Sequence, residues 1–173
     1  MMNFNELNDM TVNLYRQFEA KKQMVWKDNH HLLSIVTSLD IHLGELAVSS
    51  RLDDTKINSA VKLDSERQID AAIGVLKDFF LMASICNWTD IFELSEKEQK
   101  RLQILPVDDK AKLDTLYLSI KNMILKSFYE KDKTSFRHGW ILFYKWIFSD
   151  LKFDETGFEK DFQEKVKKEQ ENL

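Results

Sequence analysis

Residues 65–80 read SERQIDAAIGVLKDFF, and the spacing within them decides the fold. Ile69, Ile73, Leu76, Phe80 and Ala83 recur in a four-three rhythm that brings them onto one side of an α-helix. Asp64 or Ser65 is placed to cap its start. Upstream, residues 39–47 read LDIHLGELA. There Leu32, Val36, Leu39, Leu43 and Leu46 keep the same rhythm to about Arg51. Two such stripes bury themselves by facing each other, the packing unit of a helical bundle.

Outward from this pair the pattern stays helical. Met10, Leu14 and Phe18 predict a first helix from Asn5 to about Trp26, with a polar break at Lys27 to Asn29. Leu52 to Leu63 is polar and aperiodic, a loop. Trp88 to Leu94 reads equally well as helix or connection. Ser95 with Glu98 predicts a capping box for a short charged helix ending near Leu105. Pro106 and Asp108 restart the chain. Leu113, Leu116, Ile120, Ile124 and Phe128 then predict another long helix, ending in a charged turn from Glu130 to Lys133. Thr134 to Asp150 reads as an aromatic helix, Phe153 to Gly157 as a turn, and Phe158, Phe162 and Val166 as a last amphipathic helix fraying toward Leu173.

The chain of 173 residues carries only four glycines and one proline, too few for a turn-rich sheet protein. The expected fold class is therefore all-α, a single bundle domain over residues 1–173 with five to seven helices. The formal net charge of -4, with acids and bases mixed, gives no basic surface for a nucleic acid polymer. No run reaches roughly 18 uninterrupted apolar residues, so no membrane span is expected. Cys86 has no internal disulfide partner, and MMNFNELND has neither a basic nor an apolar leader region. Both point to a reducing, cytoplasmic setting.

Chemistry concentrates on the two central helices. His42 and Glu45 fall on one shoulder of the first apolar stripe. Asp70 and Lys77 fall on a shoulder of the second, with Glu66 nearer its centre. Carboxylates projecting from facing helices are one way to hold a hard divalent ion. Gly44 and Gly74 lie inside these helices at a cost of roughly 1 kcal/mol each relative to Ala. Either close packing or room for a ligand accounts for them. Phe136, Trp140, Phe143, Tyr144, Trp146 and Ile147 surround nearly the whole circumference of the aromatic helix. A homodimer partner or the chain's own core would each cover such a helix.

The segment LDIHLGELA resembles the hxhELGELA motif of the dimeric all-α dUTPases, relatives of the MazG-type nucleoside triphosphate pyrophosphohydrolases. RQIDAAIGVLKDFFLMA resembles that family's EEYVDALHFFLSL. FQEKVKKEQENL stands where the family has YLKKNxxNxxRQ. The resemblance implies an all-α homodimer that binds Mg²⁺ and cleaves dUTP or a related dNTP to the monophosphate and pyrophosphate. Carried over by position, Glu45 and Asp70 fall on family metal ligands. His42 and Arg67 fall on two further family glutamates, Ser49 on another family acid, and Glu66 is the nearest substitute carboxylate. Lys165 falls on a phosphate-contacting lysine, Lys77 is a second candidate for phosphate, and Trp26 falls near the nucleobase-contacting segment. The other expectation is a non-catalytic helical dimer of the same fold that binds a protein or nucleotide partner.

Overall fold

A computed structural model describes residues 2–27, 29–52 and 65–173, and the backbone alone at Gln103. Seven α-helices and no strand occur among the described residues. α1 spans Phe4–Lys22, α2 His30–Ser49, α3 Ser65–Cys86 and α4 Glu96–Gln103. α5 spans Lys110–Glu130, α6 Lys133–Lys145 and α7 Glu155–Glu171. The expected all-α bundle is what the chain forms. Most of the loop expected at Leu52 to Leu63, and the Asp64 cap, lie outside the described residues.

Local chemistry fixes the ends. α1 stops four residues earlier than its apolar rhythm suggests, because Gln23 turns left-handed at φ 50°. Its N–H and that of Met24 then donate to the carbonyls of Ala20 and Glu19 at 3.2 and 3.0 Å. α2 ends at Ser49, and Arg51 is left-handed at φ 61°. The capping box at Ser95 and Glu98 forms, with both reciprocal bonds present. The ambiguous stretch after Trp88 is a single 3₁₀ turn at Thr89–Phe92. Asp109 caps α5, its side chain accepting the Lys112 N–H at 2.9 Å. The expected turn at Phe153 to Gly157 is shorter than read, because the Asp154 side chain accepts from Gly157 N–H at 2.7 Å and starts α7 at Glu155.

The tightest pairings are α2 with α3 and α5 with α6. Leu39, Leu43 and Leu46 of α2 and Leu76, Phe79 and Phe80 of α3 are completely buried. α2 is long and apolar enough, by length and composition, to cross a membrane. Leu32, Ile35, Val36, Leu39, Leu43, Leu46 and Ala47 belong to this core, while Leu33, Ile41 and Val48 are exposed.

Of the two coverings open to the aromatic helix, its own chain supplies one. Trp140 meets Phe4 of α1 edge-on at 5.1 Å, Phe79 of α3 at 5.8 Å and Phe92 of the 3₁₀ turn at 5.0 Å. Phe136, Trp140, Phe143, Tyr144 and Trp146 are all fully buried. The helix also ends earlier than read, and Trp146–Asp150 forms a π turn. A buried ion cluster holds that turn. Lys145 Nζ lies 2.9 Å from both Asp150 carboxylate oxygens and also contacts Asp108. Asp150 accepts the Asp108 N–H at 2.9 Å, and Ser149 donates to the Leu105 carbonyl at 2.8 Å. The connection from α4 to α5 is thereby tied to the end of α6.

Candidate functional site

The polar shoulders of α2 and α3 come together beside α7. His42, Glu45, Asp70, Lys77 and Lys165 line one open cavity of about 510 Å³. Five residues singled out by sequence are thus neighbours. Glu66 lies in an adjoining depression with Asp161, Glu164 and Lys168, which shares Asp70 and Lys165 with the main cavity. Trp26 is elsewhere. Its ring stacks on His31 at 4.6 Å, and its indole N–H donates to Glu19 Oε1 at 2.5 Å.

His42 is the most constrained polar group in the cavity. Its Nδ1 lies 2.6 Å from Asp78 Oδ2, and the Asp78 side chain is only 8% exposed. A carboxylate so buried holds the imidazole in one orientation. Gly74, one turn before Asp78 on α3, supplies the seat. A Cβ at Gly74 would fall 2.7 Å from His42 Cδ2 and 2.9 Å from Nε2. The ring therefore rests on bare helix backbone. The hydrogen bond to Asp78 raises the His42 pKa above its ordinary value, against the opposing effect of burial. Glu45 adds to the rise and Lys77 opposes it.

The two cavity lysines are also paired. Lys165 Nζ donates to Asp70 Oδ1 at 2.7 Å, joining α7 to α3. Lys77 is paired with Glu169, a second tie between the same helices. Arg67 and Tyr15 line the cavity as well. Burial, then the nearby charges of Glu19 and Asp78, push the Tyr15 pKa up to about 12, so the phenol is neutral.

No family model, curated protein or solved structure matches the chain. The resemblance in the two motif helices therefore stands on their residues alone.

The donor set does not suit Mg²⁺. That ion takes oxygen ligands in near-octahedral geometry. Among the described residues, no three histidine, cysteine or carboxylate side chains gather closely enough to hold a metal. Asp70 already accepts from a lysine, and His42 presents nitrogen and is bonded to Asp78. Arg67 adds positive charge to the same cavity.

Sequence reasoning missed Asp78, Glu169 and Tyr15. Asp78 carried a weak signal, since Asp70, Gly74 and Asp78 follow each other at i, i+4, i+8 along one face of α3. Glu169 falls where the resembled family has an asparagine, but its pairing with Lys77 gave no signal, because the two meet only when α7 folds back across 92 positions of chain.

Proposed function

We propose that this cavity binds a phosphorylated small molecule directly, in a helical domain derived from the all-α pyrophosphohydrolase type, without metal-assisted hydrolysis. The observation that carries this reading is a cluster of cationic donors, set among the carboxylates Glu45, Asp70, Asp78 and Glu169 of the same cavity. Lys77, Lys165 and Arg67 line one cavity with an imidazole already held by Asp78. A phosphate offers several acceptor oxygens to such donors and forms charge-assisted hydrogen bonds with them.

The lysines are less exposed than their acidic partners. Lys77 and Lys165 side chains are 18% and 32% exposed, against 37% for Glu169 and 57% for Asp70. On ligand entry the carboxylates move out to water while the lysines stay and exchange one anion for another. His42 Nε2 adds a donor on the α2 side when its ring carries a proton there. The nucleotide class follows from the motif resemblance, with dUTP as its first candidate.

The second reading is Mg²⁺-dependent pyrophosphohydrolysis of dUTP. It is favoured by Glu45 and Asp70 lining the same cavity. A homodimer belongs to both readings through the resemblance. The outer side of α2, where Leu33, Ile41 and Val48 are exposed, is an available face. A turnover assay separates the readings. With dUTP and Mg²⁺, the binding reading predicts no pyrophosphate release, and a melting temperature raised by nucleotide equally in EDTA and in Mg²⁺. Pyrophosphate release that requires Mg²⁺ and disappears in Asp70→Asn would establish the hydrolase.

A further inference from the structure

The charged cavity adjoins a second one. A space of about 430 Å³ opens between α1, α3 and the end of α7, and Tyr15, Lys77, Leu81 and Glu169 line both. The Lys77–Glu169 pair therefore stands where the two meet. Leu14, Phe18 and Leu81 give the second cavity an apolar wall.

Part of its polar lining is already bonded within the helices. The Thr11 hydroxyl donates to the Leu7 carbonyl at 2.8 Å. The Asn172 amide donates to the Lys168 carbonyl at 2.8 Å. The Tyr15 phenol is uncharged and adds no charge to the lining. A nucleobase seated here would set much of its polar edge against the apolar wall of Leu14, Phe18 and Leu81, where each unpaired donor or acceptor costs desolvation energy. An apolar group loses nothing in the same place and gains by leaving water.

We propose that the ligand is amphipathic: a soluble phosphate monoester whose phosphate rests on Lys77 and Lys165 while its apolar group fills the chamber walled by Leu14, Phe18 and Leu81. This rests on the phosphate-binding reading above and puts an alkyl phosphate ahead of the nucleotide that the resemblance alone suggests. The apolar group enters past Lys77, which keeps its charge toward the phosphate as Glu169 swings aside.

Calorimetric titration in EDTA with two esters of the same head group tests this. Hexyl phosphate, below its micellar concentration, should bind about tenfold or more tightly than glycerol phosphate, since burying a few methylenes supplies that factor. Phe18→Asp should bring the two affinities together, and Phe18 is exposed enough (37%) to tolerate the change. Lys165→Gln should weaken both esters. Equal affinity of the wild-type protein for both esters would overturn the amphipathic ligand and leave phosphate binding standing. Binding of neither ester would remove both claims. Co-sedimentation with phosphatidic acid vesicles, without saturable binding of the monomeric ester, would assign the chemistry to a membrane surface and overturn this proposal.

Discussion

At Gly74 an added methyl group meets the His42 ring, whereas at Gly44 it meets nothing within 4 Å. The two helical glycines thus have opposite reasons, which the bare sequence leaves undivided. Ala at either position gains about 1 kcal/mol of helix propensity. Gly44→Ala should therefore raise stability by up to about 1 kcal/mol in urea unfolding. Gly74→Ala should give no such gain, because the imidazole must leave Asp78 to make room. In a His42→Ala background the Gly74→Ala gain should return, a coupling that a double-mutant cycle reads directly. The His42–Asp78 pair also predicts a pH dependence. Its folded pKa lies above the unfolded value of about 6.5. The stability it contributes is thus complete below about pH 6.5 and fades as pH rises through the folded value. The melting-temperature gap between wild type and His42→Gln should be wide at pH 6 and narrow at pH 9. A gap that widens with pH would mean that Asp78 does not hold the charged ring.

Among the elements, α2 and α3 were legible because their apolar spacing and their burial are the same fact. Leu43 and Leu76, at the centres of the two stripes, are both fully buried. Replacing either with Ala should cost about 2–5 kcal/mol in urea unfolding. A cost below about 1 kcal/mol at both would contradict the packing. The pairing of Asp78 with His42 was not legible, since it crosses between helices 36 positions apart in sequence. The aromatic helix was legible as buried but not as to what buries it, because Phe4, Phe79 and Phe92 reach it from three distant segments. The π turn after Lys145 was invisible for a similar reason. It depends on an ion cluster with Asp108, from a different connection. Lys145→Met leaves Asp150, whose side chain is 1% exposed, without its cation. Loss of a buried partner of this kind costs about 3–5 kcal/mol, and urea unfolding should show it.

For the whole molecule, the net charge of -4 gives no general attraction for an anion. Any phosphate binding must come from the local arrangement of Lys77, Lys165, Arg67 and His42. The central claim is the proposed one, that the ion pairs tying α3 to α2 and α7 suit this cavity to a phosphate and not to a divalent metal. A titration with Mn²⁺ alone, followed by electron paramagnetic resonance, tests it most directly. The account predicts no saturable Mn²⁺ binding by the wild-type protein up to about millimolar metal, and no change in Glu45→Gln or Asp70→Asn. Saturable Mn²⁺ binding that either substitution abolishes would contradict it.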